Sequence, residues 1–326
     1  MVSRFFNGLL VFFAAVFITV GVVGGYVERV IHQTISTDEP IQHLYIKSGS
    51  GVLRTAYQIK AMGLIRDHRH FVLTSAVFGK DKDLKAGEFE ITAGMTLIDV
   101  LDKIVSGETV TRKLTIPEGL TSLQIGSILS SAFGVEYDLV VPANEGSLAP
   151  DTYHYKRGVT ASELINRMQK AQTEVLDELS FIQRHEIITG RHDILTLASI
   201  VERETALPVE RPIIAAVFLN RLKKRMRLQS DPTVIYGINP SGRLDRPISK
   251  ADLKAKTPYN TYKIKGLPAG PIANPGKQSI AAVINPAQVP YLYFVADGSG
   301  GHAFAKTLRE HNRNVRKWRK YQKNNP

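Results

Sequence analysis

The feature that most constrains this chain is an uninterrupted apolar segment close to its first residue. Residues 5–27 contain no charged side chain and are dominated by Phe, Val, Leu, Ala and Gly. About 20 apolar residues at ~1.5 Å each span the hydrocarbon core of a bilayer, so we predict one transmembrane helix over residues 5–27. A cleaved signal peptide is the alternative, although its apolar region is usually about 7–15 residues long and ends at a small-residue cleavage site.

The charges that flank this segment predict its orientation. Arg4 precedes the segment, whereas Glu28 and Arg29 cancel each other beyond it and residues 38–39 are both acidic. Because positively charged flanks stay in the cytoplasm, we expect residues 1–4 to be cytoplasmic and the remainder of the chain to lie outside.

Composition narrows the function of that outer part. The chain has 42 Lys and Arg against 30 Asp and Glu, a net charge of +12, which suits a polyanionic partner. Because this surplus lies outside the cytoplasm, we expect a membrane surface or a cell-wall polymer and no nucleic acid. The chain has no Cys, which excludes a disulfide scaffold, a zinc ribbon, thiol catalysis and c-type haem attachment.

A repeated pattern follows a linker that we place at residues 28–40. An extended apolar stretch, a glycine turn and a helical segment occur three times in succession, and a small hydroxyl residue lies where a helix N-cap would be. The glycines are Gly49, Gly94 and Gly119, and the hydroxyl residues are Ser50, Thr96, and Thr121 or Ser122. The pattern fits either a structural building block without chemistry or a small carbohydrate-binding βα module, and the unequal spacing excludes a solenoid.

Amphipathic helices dominate the part that comes next. Apolar periodicity predicts helices over residues 160–179, 193–206 and 211–225. Residues 229–276 are rich in Gly, Pro, Asn and Tyr, and such loops over a helical base commonly carry functional sites.

Two glutamates on the second of these helices differ in their predicted surroundings. At ~100° per residue, Leu197 lies about 20° and Ile200 about 40° from Glu204, so Glu204 continues the apolar face. Glu202 lies about 160° away, where we expect a solvated or salt-bridged residue. An acid in apolar surroundings can hold a proton near neutral pH, as a general acid for glycoside cleavage must. The alternative is a buried ion pair between Glu204 and one of Arg203, Arg221 or Arg227.

Three segments carry a family resemblance: LASIVERETALPVERPIIAAVFLNRLKKRMRLQSDPTVIYG, TPYNTYKIKGLPAGPIANPG and YLYFVADGSGGHAFAKTLREHN. With the preceding span, a LysM-like region and the motif EGSLAPDTY, they resemble in order the YceG-type endolytic murein transglycosylases, the MltG family. The family usually has aromatic residues where this chain has Ser147 and Ala149, which leaves sugar stacking at these two positions open.

The resemblance implies a lyase that cleaves the β-1,4 bond between N-acetylmuramic acid and N-acetylglucosamine in nascent glycan strands, leaving 1,6-anhydromuramic ends. By position in the family motif, the catalytic acid is Glu204, with Glu202 as the second candidate. The resemblance further implies a set of polar and aromatic substrate-binding residues. They are Gln229, Asp231, Tyr236, Tyr259, Asn260 and Tyr262. We expect His302 to be a turn residue rather than a base.

The expected fold is α+β: the transmembrane helix, a small LysM-like βα region over residues 41–110, and a mixed catalytic domain over residues 111–326 that ends in a basic tail. The resemblance also implies an inner-membrane protein with its catalytic domain in the periplasm and an association with peptidoglycan synthases. No sequence spacing typical of metal ligands occurs, so we expect no metal and no cofactor.

Two alternatives to this interpretation stay open. One is a wall-binding scaffold without catalysis. The other is a hydrolytic muramidase, which needs a second carboxylate about 5–9 Å from the first, and for which Asp231 is the candidate.

Overall fold

The computed structural model of the chain describes residues 2–37, 39–139, 141–180 and 187–324. It divides into two compact units, one comprising residues 1–112 and 154–158 and the other residues 113–153 and 159–326. The predicted boundary between the LysM-like region and the catalytic domain, at residue 110, lies two residues before Arg112, the last residue of the longer segment of the first unit. The mixed α+β fold with an N-terminal apolar helix is confirmed.

The first unit is built from four helices and two strands. They are α1 (Val2–Ile31), β1 (Ile41–Ile46), α2 (Val52–Ala61), α3 (His68–Val77), β2 (Gly87–Thr92) and α4 (Leu97–Ser106). The strands pair antiparallel, with Ile41 opposite Thr92 and Ile46 opposite Gly87. Leu44, Phe89 and the apolar faces of the helices form its core.

Helix α1 extends beyond the predicted span at both ends. Its segment Asn7–Ile31 has 25 residues, and an 18-residue stretch within it has a mean hydropathy of 2.4 and no buried side chain, so the segment is long and apolar enough to cross a membrane. Residues 28–40, expected to form a linker, differ from that expectation. Val30, Ile31 and Ile35 are buried, because their apolar side chains complete the core of the first unit.

The predicted strand–glycine–helix pattern occurs in the structure in all three places. The glycines have φ values of +77° (Gly49), +87° (Gly94) and +75° (Gly119), in the left-handed region that favours glycine. Thr96 caps α4 through a capping box with Asp99. At α2 the N-cap is Gly51 instead of Ser50, and no side chain caps the helix.

The second unit contains the remaining helices and strands. They are β3 (Arg112–Thr115), which begins at the unit boundary, α5 (Ser122–Ser131), β4 (Thr152–Tyr155), α6 (Ala161–Ser180), α7 (Arg191–Glu204), α8 (Arg211–Lys223), α9 (Asp231–Ile238), α10 (Lys277–Ile284), β5 (Tyr293–Ala296), β6 (His302–Ala305) and α11 (Leu308–Asn324). The last two residues of β4 belong to the first unit. Strands β5 and β6 form an antiparallel hairpin. The core of the second unit brings together α7, α8 and α10, with Leu197, Ile200, Val201 and Phe218 fully or almost fully buried.

Candidate active site

Glu204 is the last residue of α7, where the helix leaves the core. The preceding turns are anchored by Leu197, Ile200 and Val201, each of which has no exposed surface. Thr205 then adopts an extended conformation with φ −143° and ψ 137°, which ends the helix and turns the chain. The apolar face therefore holds the helix end rigidly and leaves Glu204 partly exposed.

The Glu204 carboxyl group has a single hydrogen bond among the described residues. Ser230 Oγ donates to Oε1 over 2.5 Å, and Oε2 has no partner within the described part of the chain. None of the described Arg or Lys side chains forms an ion pair with Glu204, which argues against the expected alternative of a buried pair with an arginine. One carboxyl oxygen is therefore available to hold and deliver a proton.

The surroundings of Glu204 favour the protonated acid. Burial raises the pKa of Glu204 to about 7, and the negative charge of Asp231 acts in the same direction. The Ser230 hydrogen bond and the charges of His302 and Arg221 oppose this effect and lower the pKa. Both protonation states of the group are thus accessible near neutral pH, which lets an acid give a proton and take it back.

Asp231 and Tyr262 are electrostatic neighbours of Glu204. Asp231 is the first residue of α9, and Tyr262 Oη donates to its Oδ1 over 2.6 Å. Ser230 N donates to Thr261 Oγ1 over 2.9 Å, which ties the start of α9 to the segment that carries Tyr262. Burial, followed by the hydrogen bond to Asp231, raises the pKa of the Tyr262 phenol, so this phenol remains a hydrogen-bond donor.

Gln229 precedes this cluster in a conformation that few side-chain-bearing residues adopt. Its φ is +51°, and its backbone N donates to Thr261 O over 3.3 Å. A left-handed conformation at a residue other than Gly costs of order 1–3 kcal/mol and often marks a functional site. The side chain is exposed next to Ser230, where its amide is free to meet a ligand.

Tyr236 and Tyr259 form a second group at the far end of α9. Their rings meet edge to face, with centroids 4.9 Å apart. Tyr236 Oη donates to Glu145 Oε2 over 3.1 Å, and Glu145 Oε1 accepts from the backbone N of Ser122 and from Asn274 Nδ2. Burial raises the pKa of Glu145. Glu145 is not among the site residues predicted from the sequence, although it lies in the motif EGSLAPDTY.

Asn260, predicted to bind substrate, is instead buried inside its own loop. Its side chain is completely buried, and Nδ2 is directed at the carbonyl oxygens of Asp252, Leu253 and Ala255. Oδ1 accepts a hydrogen bond from the backbone N of Tyr262 over 3.0 Å. Asn260 therefore fixes the loop that carries the two tyrosines, and no part of its side chain is accessible to a sugar.

Glu202 is held in a buried ion pair on the other side of α7. Its side chain is 5% exposed and Oε1 accepts from Arg211 Nη2 over 3.0 Å, while Gly276 N donates to Oε2 over 2.9 Å. Arg211 Nη2 also reaches Glu118 over 2.9 Å. Burial raises the pKa of Glu202 as well, but both of its oxygens are engaged, so the structure agrees with the salt-bridged position expected from the helical wheel.

The two positions at which the chain departs from the family motif lie beside Glu145. Ala149 is 5% exposed, and Tyr153 Oη donates to its carbonyl oxygen over 2.7 Å. Ser147 Oγ donates to Asn144 O over 2.6 Å. Position 149 thus has almost no surface that a sugar could reach.

No cluster of three or more His, Asp or Glu side chains suited to a metal ion occurs within the part of the chain that the structure describes.

Comparisons with known proteins place this site in a family. The model of the YceG-like family matches residues 44–317. The endolytic murein transglycosylase of Bacillus subtilis is 30% identical over 331 residues, covering 91% of this chain and 91% of the relative. That of Streptococcus pneumoniae is 31% identical over 323 residues, covering 83% of this chain and 57% of the relative.

A solved structure agrees with the sequence matches. The crystal structure of a YceG-like protein from Listeria monocytogenes is 32% identical and aligns with a TM-score of 0.54, covering 84% of this chain and 98% of the other. The family match extends over both units and includes Glu204, Ser230, Asp231 and Tyr262. This chain belongs to the YceG-like family.

Proposed function

We propose that this chain is a membrane-anchored endolytic peptidoglycan lytic transglycosylase, with Glu204 as its catalytic acid. The observation that carries the proposal is the Glu204 carboxyl group: partly exposed, with one oxygen unengaged and a pKa raised to about 7. The names of the Bacillus and Streptococcus relatives support murein as the substrate.

The reaction needs only one acid. Glu204 donates its proton to the glycosidic oxygen as the bond from C1 of N-acetylmuramic acid to that oxygen breaks. The C6 hydroxyl of the same sugar then attacks C1, and its proton returns to Glu204. The product is a 1,6-anhydro ring and no water is consumed, so no second carboxylate is required to activate a nucleophile.

The neighbouring side chains have matching tasks in this proposal. The exposed Gln229 amide and the Tyr262–Asp231 pair offer donors and acceptors for sugar hydroxyl and acetamido groups. The Tyr236 and Tyr259 rings suit contact with a pyranose face. Asn260 acts indirectly, because it holds the tyrosine loop in place.

Product analysis tests the proposal and separates it from a hydrolytic muramidase. The muramidase is the second candidate because the charge of Asp231 acts on Glu204, as a paired carboxylate would. Full-length protein is incubated with purified sacculi and the fragments are read by mass spectrometry. We expect ends one water lighter than reducing ends. Reducing ends would indicate hydrolysis, and intact sacculi would favour the wall-binding scaffold.

The first unit fits a glycan-binding role beside this activity. We propose that residues 41–110 form a LysM-like region, supported by the order β1–α2–α3–β2 with its antiparallel strand pair. We further propose that α1 anchors the protein once in the inner membrane, with the amino terminus in the cytoplasm and the catalytic domain in the periplasm. From there it would cut nascent strands beside peptidoglycan synthases and end their elongation.

Helix α11 offers a membrane-facing surface that we call the basic face. It consists of seven exposed side chains that fall within an arc of about 160° at ~100° per residue: Arg309, Arg313, Arg316, Lys317, Arg319, Lys320 and Lys323. Helix α11 packs against β5, and Val315 and Trp318 on its opposite side are partly buried. Among the described residues, none of the seven has an ion-pair partner. We propose that the basic face rests on an anionic bilayer.

A charge-reversal experiment tests the basic face. Full-length protein in neutral-lipid nanodiscs is mixed with anionic vesicles, and co-sedimentation is measured at low salt. At about 1 kcal/mol per basic residue, the triple variant Arg313→Glu, Arg316→Glu and Lys320→Glu should bind at least about 100-fold more weakly. The matched control reverses the same number of charges at the exposed lysines Lys47, Lys60 and Lys82. Equally weakened vesicle binding in both variants would show that net charge, and not the basic face, determines binding.

A further inference from the structure

Glu210 and His302 form a largely buried pair that is joined to Thr205, the residue after the proposed acid. His302 donates its backbone N to Glu210 Oε1 and its ring Nδ1 to Oε2, both over 2.7 Å. Thr205, the residue that follows Glu204, donates its hydroxyl to the same Oε2 over 3.1 Å. The His302 and Glu210 side chains are 16% and 11% exposed. Glu210 thus joins the end of α7 to the start of β6.

The His302 ring is held in one orientation. A carboxylate only accepts, so the hydrogen bond to Glu210 places a proton on Nδ1 and leaves Nε2 open. Among the described residues, Nε2 has no hydrogen-bond partner. The ring meets Phe294 edge to face at 5.3 Å. The structure thus corrects the expectation that His302 is a turn residue, because it is the first residue of β6 and both its backbone and its ring are bound.

Gly301 shows how closely this pair is built. A Cβ at this position would lie 2.8 Å from Glu210 Oε1, closer than such atoms approach in proteins. A side chain at position 301 would therefore displace the Glu210 carboxylate from the backbone N of His302. The glycine turn before β6 therefore leaves space for the Glu210 carboxylate.

Charges of both signs face Glu204 from the elements around it. Asp231 on α9 is the negative group, and Arg221 on α8 and His302 on β6 are the positive ones. Tyr262 is a further titratable neighbour. Arg221 is engaged by carbonyl oxygens, with Nε donating to Leu292 O and Nη1 to Leu228 O. His302 is therefore the positive neighbour of Glu204 that is held through one ring nitrogen, Nδ1, while its Nε2 is unengaged among the described residues.

We propose that His302, held by Glu210, is a positioning residue for Glu204: as an imidazolium it stabilises the carboxylate that remains after Glu204 has given its proton to the leaving oxygen. This inference rests on the proposed function. Without such a cation, the adjacent Asp231 would oppose the formation of a second negative charge. The two neighbours thus act in opposite directions on one acid, and Glu210 keeps the cation in place.

The pH profile of sacculus cleavage tests this role. Cleavage needs protonated Glu204, so the wild-type rate should fall as the pH rises through about 7. His302→Gln removes the cation, which raises the pKa of Glu204, and we expect this alkaline limb to move up by about one pH unit. Asp231→Asn removes the anion and should move the limb down. His302→Lys keeps a cation and should leave the limb near its wild-type position.

Two further variants keep the test decisive. His192→Gln is the matched control, because His192 lies on the same helix 12 residues before Glu204, or ~18 Å along its axis, and should leave the limb unchanged. If His302→Gln does not fold, Glu210→Gln replaces it, because a neutral amide cannot balance an imidazolium and the limb should again move up. A wild-type limb in His302→Gln, or equal shifts in His302→Gln and His302→Lys, would overturn the role of His302. Failure of wild-type protein to form anhydro ends would overturn the proposed function itself.

Discussion

Glu204→Gln should abolish most of the cleavage while the protein stays folded. Gln has the same shape and can still accept the Ser230 hydrogen bond at Oε1, but it has no proton to give and none to recover. General acid–base catalysis contributes about 100-fold to 10,000-fold, so we expect the release of anhydro-ended fragments from sacculi to fall by a factor in that range. The rate is measured by liquid chromatography and mass spectrometry at pH 6, below the alkaline limb.

Glu202→Gln is the matched control for this variant. It neutralises a glutamate two residues away on the same helix, but one whose oxygens are held by Arg211 and Gly276. We expect a smaller loss of cleavage and a lower unfolding temperature. Wild-type cleavage by Glu204→Gln would show that Glu204 is not the acid. Equal losses in the two variants would show that the geometry of α7 does not separate their roles.

The largest effect on stability should come from Arg211→Ala. Arg211 and Glu202 are 7% and 5% exposed, so removal of the arginine leaves a buried carboxylate without its ion-pair partner. Breaking a buried pair in this way costs about 3–5 kcal/mol. For a unit of this size, that free energy corresponds to a fall of roughly 6–20 °C in the midpoint of thermal unfolding.

Lys223→Ala on the same helix α8 provides the comparison, because Lys223 is exposed and its loss should change the free energy of unfolding by less than about 0.5 kcal/mol. Circular dichroism of full-length protein in detergent measures both variants. If Arg211→Ala unfolds at the same temperature as Lys223→Ala, the Glu202–Arg211–Glu118 cluster does not stabilise the second unit.

Local periodicity could predict much of this structure. The apolar stripe through Leu197 and Ile200 identified α7 and separated Glu204 from Glu202, since both depend on the 100° step of a helix. The glycine turns at Gly94 and Gly119 could equally be predicted from the sequence, because only a few residue types adopt a positive φ. These features depend on residues within a few positions of one another.

Long-range pairing was the part that the sequence could not reveal. Ser230 reaches Glu204 across 26 positions, and Glu210 reaches His302 across 92. No periodicity encodes such contacts, because they depend on how helices and hairpins pack. Asn260 is a residue whose role was predicted wrongly. In the sequence, an amide in a Tyr-rich loop fits a ligand-binding residue and a residue that holds the loop by hydrogen bonds equally well, and only its burial in the structure distinguishes the two roles.

The hydrogen bonds by which Asn260 holds its loop affect how strongly a glycan can bind. A loop of glycines, prolines and polar residues would normally lose conformational entropy each time a ligand ordered it. Here one side chain, with Nδ2 directed at three carbonyl oxygens and Oδ1 accepting from the backbone of Tyr262, orders the loop when the chain folds. That entropy is therefore lost once per protein molecule and not once per substrate, so contacts with the sugar translate more fully into affinity.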